Sequence, residues 1–250
     1  MSMALLCAAI FCASFVLTMV GLGGGLIFAP LFVLLGFPVA TAVPASLFLN
    51  GIAALSAALT YYRKGMVEVK TAVPLLIAST LAAPLGALLT KIIDRQLFSG
   101  IMALVIILAA LRMLFAGKPE AGDLQRGTAI KILGGCGIGL VVGLIGGLLG
   151  IGGGVFIVPL LIYVLRMPTK AAAATSIFIV VFPSFSGFIA HVSLTATDWK
   201  FILLTGIFSF AGGQLGSRVM SEKLKGKAIR RIFGVVLLVF ALKLLQKAFP

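Results

Sequence analysis

The residues Gly21-Leu-Gly-Gly-Gly-Leu-Ile-Phe-Ala-Pro30-Leu return later in the chain as Gly150-Ile-Gly-Gly-Gly-Val-Phe-Ile-Val-Pro159-Leu. Four glycines and one proline hold the same places in both copies, which lie 129 residues apart. After one inserted residue, the two parts of the chain continue to match at a separation of 130 residues. The matching pairs are Pro38 and Pro168, Ala42 and Ala172, Ser46 and Ser176, Phe48 and Phe178, Ser56 and Ser186, Glu68 and Asp198, and Gly86 and Gly216. This self-similarity predicts two structural repeats.

A charged stretch containing Gly and Pro separates the repeats and is typical of a loop. We expect a first repeat over residues 1–116, a cytoplasmic linker over 117–130 and a second repeat over 131–250. Each repeat contains five apolar segments. One lies before the glycine cluster, a short one follows the cluster, and the last three are of full length. The predicted segments are 3–20, 26–36, 39–62, 71–90 and 96–116 in the first repeat, and 132–148, 155–165, 169–191, 199–219 and 229–248 in the second.

The composition predicts that these segments are transmembrane helices. Hydrophobic residues make up 61% of the chain and charged residues 10%, whereas a soluble domain has about a quarter charged residues. Charge-free runs at 1–62, 132–165 and 171–190 exceed the roughly 20 residues that span a bilayer. Only helices or closed barrels satisfy the backbone in lipid, so we predict an all-α polytopic membrane protein. The net charge of +14 is attributed to cytoplasmic loops rather than to nucleic-acid binding.

The distribution of Lys and Arg decides how the glycine clusters cross the membrane. If each glycine-interrupted stretch crossed once, the 20 basic residues would divide equally between the two sides. If each cluster is instead the turn of a re-entrant hairpin, 15 basic residues share one side and five the other, which fits the positive-inside rule. The second arrangement makes the halves inverted repeats with the basic loops cytoplasmic. Gly122 is then expected inside and Thr195 outside.

Neither a leader peptide nor a metal or disulfide site is expected. The first basic residue is Arg63, too late for the charged region of a cleavable leader, so the mature chain is expected to begin near Met1. Cys7, Cys12 and Cys136 lie in apolar segments without a CxxC spacing, and we interpret them as packing residues. No cofactor is predicted.

The glycine clusters are candidate anion sites. Glycines in a membrane allow a sharp turn, and a helix that starts after such a turn presents backbone N–H groups and the positive end of its dipole. Two helices starting near Leu26 and Val155 would point these ends at the midplane, where an anion binds readily. The predicted site glycines are Gly23, Gly24, Gly25, Gly152, Gly153 and Gly154. Close helix packing is the alternative, and it is the role expected of Gly135, Gly139, Gly143 and Gly147.

Polar side chains inside apolar helices are the next candidates, because each needs a partner and many such residues line transport pathways. Bonding to the carbonyls of their own helix is the alternative for the Ser and Thr residues. His191 is a possible proton carrier, although a hydrogen-bonding role near the helix end is the simpler interpretation. The remaining candidates for substrate binding are Ser46, Asn50, Thr175, Ser176 and Gln214.

No carboxylate is expected at the centre of a span. All six acids lie in loops or at helix ends, and Glu68 and Asp198 are interpreted as helix caps. A carboxylate proton relay or an Asp-based sodium site therefore has no obvious residues, which favours an anion pathway made of dipoles and hydroxyls. The other four acids are Asp94, Glu120, Asp123 and Glu222.

The duplicated glycine motif, with Pro30 and Pro159 after it, resembles that of the TauE/SafE or sulfite exporter family within the sulfonate uptake permeases. The resemblance covers the whole chain. It implies two related hydrophobic halves, each opened by a glycine-rich stretch, and secondary transport or export of sulfite, sulfonates or related small anions across a prokaryotic inner (plasma) membrane. Transport of an unrelated small anion stays open, and so does assembly into an oligomer.

An intramembrane hydrolase is the alternative of another class. Ser186 and His191 suggest a catalytic pair, but at a spacing of five residues they lie about 140° apart around one helix. They cannot meet without help from another helix. No P-loop is present, so ATP-driven pumping by this chain alone is not expected. We therefore predict that the chain is not an enzyme.

Overall fold

A computed structural model of the chain describes residues 3–89, 107, 128–192 and 199–229, and six single positions between 231 and 239. Within these residues all regular structure is helical and there is no strand. The helices are α1 (Met3–Val20), α2 (Gly25–Leu34), α3 (Val39–Arg63), α4 (Val69–Leu89), α5 (Thr128–Leu149), α6 (Gly154–Tyr163), α7 (Thr169–Val192) and α8 (Trp199–Glu222).

The helices begin and end within a few residues of the segments predicted from hydropathy. Four are long and apolar enough to cross a membrane: α1, residues Thr41–Arg63 of α3, α4 and α7. The chain is therefore an all-helical multi-pass membrane protein. Almost all of the predicted segments 96–116 and 229–248, together with Gly122 and Thr195, lies outside the described residues.

The direction of the chain reverses between α1 and α2. Side chains join α3 to α8 in parallel, since Ser209 donates to the Leu49 carbonyl at 2.8 Å and Lys64 reaches Ser221 at 2.9 Å. Helix α1 also runs parallel to α8, because its successive turns contact Gly212 and Gly216 in that order. Helix α2 is connected to α3 by a short loop and starts beside the middle of α3, so it runs in the opposite direction to α1.

The second glycine cluster reverses the chain in the same way. Helix α5 runs parallel to α4, because Gly139 faces Leu75 and Gly147 faces Ala83. Helix α7 also runs parallel to α4, as Thr175 bonds the residue before α4 and Ser186 bonds the Thr80 carbonyl. Helix α6 is joined to the start of α7 by five residues and therefore runs opposite to α5. Each cluster is thus the turn of a helical hairpin.

Small residues let these helices pack closely. A Cβ added at Gly139 would lie 2.7 Å from the Leu75 carbonyl oxygen and 2.8 Å from the Ala78 Cβ. Gly135, Gly143 and Gly147 meet α4 on the same face, at intervals of four residues along α5. In lipid, where no hydrophobic effect draws helices together, such backbone approach supplies the van der Waals contact that holds them. The packing role predicted for this glycine stripe is confirmed.

Candidate functional site

The two glycine turns touch each other at the centre of the bundle. A Cβ added at Gly25 would lie 2.6 Å from the Ile151 carbonyl oxygen, and one added at Gly154 would lie 2.5 Å from the Leu22 carbonyl oxygen. Each contact is the repeat-related copy of the other. Because a hydrogen atom is the only side chain that fits at these two positions, the N-termini of α2 and α6 lie side by side.

Positive φ angles make the turns possible. Gly23 has φ 72° and its counterpart Gly152 also has φ 72°, a region that L-residues with a Cβ rarely enter. The halves differ one residue later, where Gly153 has φ 84° and Gly24 has no positive φ. A side chain at Gly24 would instead meet the ring of Phe28, one turn along its own helix.

In each half, one serine of the long helix donates a hydrogen bond to the glycine turn of the other half. Ser46 on α3 donates to the Gly150 carbonyl at 2.9 Å, and Ser176 on α7 donates to the Gly21 carbonyl at 2.9 Å. The pair is again reciprocal. Ser46 also lies 3.2 Å from the Gly25 carbonyl, so it touches both turns. Neither serine bonds only to its own helix, and both are fully buried.

Asn50 caps the N-terminus of α2 from the neighbouring helix α3. Its Oδ1 accepts the N–H groups of Gly24 at 2.5 Å and Gly25 at 2.8 Å. Its Nδ2 donates to Ser184 Oγ at 2.7 Å and to the Ile151 carbonyl at 3.3 Å. The buried carboxamide of Asn50 therefore accepts two N–H groups of α2 that have no partner within the helix, and it also donates to the second glycine turn at Ile151.

The N-terminus of α6 has no such cap. The repeat counterpart of Asn50 is Val180, whose Cγ1 lies 3.3 Å from where a Cβ on Gly152 would be. Gly153 stands at the N-cap position without a side-chain hydrogen bond. Within the described residues, no acceptor bonds the N–H groups of Gly153 and Gly154, the two that correspond to those bound by Asn50. The positive end of one helix dipole is thus screened and the other is open.

Ser184 is part of this centre and was not predicted from the sequence. Its hydroxyl donates to the Val180 carbonyl at 2.7 Å and accepts from Asn50. The repeat counterpart of Ser184 is Ala54, which is not polar, so the repeat does not indicate a role for Ser184. A buried polar residue one turn after the counterpart of Asn50 was the available signal.

The structure places three predicted residues away from the glycine turns. Thr175 Oγ1 accepts the backbone N–H of Glu68 at 3.0 Å, next to the start of α4. Gln214 Oε1 accepts the hydroxyl of Ser56 at 3.1 Å, between α3 and α8. His191 Nε2 lies 3.3 Å from the Gly147 carbonyl oxygen.

His191 and Tyr61 occupy matching positions and make matching bonds. Tyr61 donates to the Thr18 carbonyl at 2.9 Å, and Thr18 corresponds to Gly147, the partner of His191. Both bonds hold the last turn of a hairpin's first helix. Ser186 donates to the Thr80 carbonyl at 2.9 Å, so Ser186 and His191 bond different carbonyls and form no pair with each other.

A family model, described as Sulfite exporter TauE/SafE, matches residues 6–244 of the chain. The chain is 28% identical to the "Probable membrane transporter protein YunE" of Bacillus subtilis strain 168, with 92% of each protein covered. It is also 28% identical to the "Probable membrane transporter protein ORF9" of a Sinorhizobium species, over 97% of this chain and 92% of that relative. No solved structure matches the chain significantly. These names indicate a membrane transporter rather than an enzyme.

Proposed function

Since this chain belongs to the sulfite exporter TauE/SafE family, we propose that it is a secondary transporter of small sulfur-containing oxyanions, such as sulfite and sulfonates. The family supplies the class of cargo, and the relatives' names say only that they are membrane transporters. The observation that carries the proposal is the open N-terminus of α6, where the buried N–H groups of Gly153 and Gly154 have no acceptor among the described residues.

The chemistry of this N-terminus suits an oxyanion. Backbone N–H groups at a helix start donate hydrogen bonds, and the helix dipole adds roughly half a positive charge. Both act strongly in surroundings of low dielectric constant. The site residues are then Gly153 and Gly154 as donors, Gly152 as the turn residue before them, whose own N–H bonds the Gly146 carbonyl at 3.3 Å, and Asn50 and Ser184 at the edge. Ser46, Ser176, Gly23, Gly24 and Gly25 hold the two turns together.

Two inverted repeats are the architecture that we propose for the membrane, over residues 1–116 and 131–250. The reciprocal contacts support a two-fold relation, since contacts that occur in exchanged pairs are what such an axis produces. The long helices α3 and α7 run antiparallel, because Gly51 faces Phe185 whereas Leu47 faces Gly187. The two hairpins therefore enter from opposite sides, as in many secondary transporters.

The orientation that we propose places the C-terminal end of α3 in the cytoplasm. The start of α7 and the end of α8 lie at this same end, where Lys170 donates to the Ser221 carbonyl at 3.1 Å. Lys200 begins α8 at the opposite end. The described basic residues at the α3 end include Arg63, Lys64, Lys70, Arg166, Lys170, Arg218, Lys223, Lys225 and Lys227. This asymmetry supports a cytoplasmic location in a prokaryotic inner membrane under the positive-inside rule.

Movement of the turns is required for transport. Ser46, Asn50, Ser176 and Ser184 are fully buried, so the described conformation keeps the centre away from water. Rocking one repeat against the other would separate the Gly25 to Ile151 and Gly154 to Leu22 contacts in turn, opening the centre first to one side and then to the other.

Proteoliposomes test the proposal directly. Purified protein is reconstituted, and uptake of radiolabelled sulfite, a sulfonate, sulfate and thiosulfate is measured against empty vesicles. Saturable flux of sulfite or a sulfonate is expected, and it should fall in Gly153→Val while Gly139→Ala, on the packing stripe, keeps its substrate affinity. Absence of flux for every sulfur oxyanion, in protein that is folded and inserted, would contradict the proposed cargo.

A further inference from the structure

A basic rim surrounds the turn that follows α8. It consists of Lys223, Lys225 and Lys227 on the turn, with Arg166 and Lys170 from the segment that starts α7. The two segments lie together, because a Cβ added at Gly226 would be 3.4 Å from the Thr169 Cβ. Five cations from two separate parts of the chain therefore meet at one end of the bundle.

The backbone beneath the rim is fixed while its lysines point outward. Ile229 is fully buried and Leu224 packs against the same core cluster. The Ile229 N–H bonds the Lys225 carbonyl at 3.2 Å, which closes the turn. Lys223, Lys225 and Lys227 are exposed, so anchored and exposed residues alternate along the turn. The ammonium groups of Lys223, Lys225 and Lys227 are therefore all exposed on a backbone that is anchored to the core.

Few acids offset this charge. Among the described residues, the single ion pair joins Lys64 to Glu222 at 2.6 Å, and no carboxylate lies within salt-bridge distance of the five cations of the rim. The hydrogen bond from Lys64 lowers the pKa of the Glu222 carboxyl, and the charges of Arg218 and Lys223 act in the same direction. Within the described residues, the five cations of the rim therefore have no carboxylate partner.

The segments that carry the rim also expose apolar side chains. Val164, two residues before Arg166, is 39% exposed, and Leu215, about two turns before Lys223 on α8, is 44% exposed. A free anion would use the charges alone. A phospholipid would use both, because its headgroup meets the cations at the membrane surface while its acyl chains cover the apolar residues.

We propose that the basic rim binds the phosphodiester headgroup of an anionic phospholipid. This binding is independent of the transported anion, since the rim lies at the end of the bundle and the glycine turns lie at its centre. Each lysine near an anionic membrane surface strengthens such binding roughly fivefold.

The test measures lipid retained by purified protein in detergent, by native mass spectrometry, after incubation with phosphatidylglycerol or phosphatidylcholine. The variants are the triple change Lys223→Gln, Lys225→Gln and Lys227→Gln, the corresponding triple change to Arg, and Lys200→Gln at the opposite end. Melting temperatures in phosphatidylcholine alone check the fold. Because the three lysines are exposed, we expect these temperatures to match that of the unchanged protein.

The unchanged protein, the Arg variant and Lys200→Gln should retain phosphatidylglycerol in preference to phosphatidylcholine. The Gln variant should retain at least tenfold less phosphatidylglycerol, because roughly fivefold per lysine multiplies to about a 100-fold loss of affinity over the three lysines. Equal retention of the two lipids, or an unchanged amount in the folded Gln variant, would overturn the proposal. Displacement of phosphatidylglycerol by excess inorganic phosphate would also overturn it, because the rim would then be a site for free anions. If the Gln variant fails to fold, the single change Lys225→Gln with its expected roughly fivefold loss decides the matter in the same assay.

Discussion

The open N-terminus of α6 should close when Val180 is replaced by asparagine. Val180 is the repeat counterpart of Asn50, is fully buried and lies against the turn at Gly152. Asparagine resembles valine in size, so its Oδ1 can approach the N–H groups of Gly153 and Gly154. In the first half the corresponding bonds from Gly24 and Gly25 to Asn50 measure 2.5 and 2.8 Å. Val180→Asn therefore places an internal competitor where we propose that the anion binds.

The magnitude follows from the strength of a helix cap. An N-cap side chain stabilises a helix by about 1 kcal/mol, within a range of roughly 0.5–2 kcal/mol. An anion must displace this cap before it can bind, which raises its dissociation constant by about 5- to 30-fold for roughly 1–2 kcal/mol. The melting temperature should stay equal or rise, since the new amide satisfies donors that lacked a partner.

Calorimetric titration of purified protein with sulfite or a sulfonate measures the dissociation constant, and a thermal melt measures stability. Val180→Ala is the matched control, because it removes apolar atoms at the same position without supplying an acceptor. It should lower the melting temperature and leave the dissociation constant within a factor of two or three. If Val180→Asn melts normally and binds the anion as tightly as the unchanged protein, the N-terminus of α6 is not the binding site.

Three further predictions concern other parts of the chain. Gly153→Val should abolish anion binding because of the positive φ at Gly153, whereas Gly139→Ala should lower the melting temperature alone; calorimetry and thermal melts separate the two effects. His191→Ala should lose the bond to a main-chain carbonyl, about 1 kcal/mol, and keep part of the flux in proteoliposomes, so complete loss of flux with normal stability would instead indicate a proton carrier. Cysteines at Lys70 and Lys200, in a background without native cysteines, should react with impermeant reagents from opposite sides of the membrane, and labelling from one side would contradict inverted halves, because glycine clusters that each crossed once would place both positions on the same side.

The helices and the turns were predictable because lipid imposes strong rules on sequence. A span must be apolar over about 20 residues, and a glycine cluster followed by proline interrupts it, so α1, α3 and α7 end where hydropathy places them. Duplication added a second, independent signal. The correspondence of Ser46 with Ser176 was also visible in the repeat, but the sequence predicted substrate binding for both, and their bonds to the two glycine turns appear only in the structure.

Neighbours across the bundle were not predictable from one sequence. Thr175 and Ser176 are adjacent in the chain, but successive helix positions point about 100° apart, so one meets Glu68 and the other meets Gly21. The partner of Gln214 depends in the same way on which face of α8 packs against α3. Ser184 belongs to the centre because it accepts a hydrogen bond from Asn50, a residue of the other half. The sequence around Ser184 does not indicate that contact.

The two halves differ at the N-termini of α2 and α6, where Asn50 caps one helix and Val180 leaves the other uncapped. Two uncapped N-termini at this place would slow the release of an anion. On the proposed function, two open N-termini would together present roughly one positive charge to a buried anion, in surroundings that weaken charges little. Such a site would hold its anion tightly and release it slowly. Asn50 fills one of the two N-termini with a neutral amide oxygen and leaves the other for the substrate. The repeat supplies the two converging helices, and the difference between Asn50 and Val180 leaves an affinity from which an anion can still dissociate.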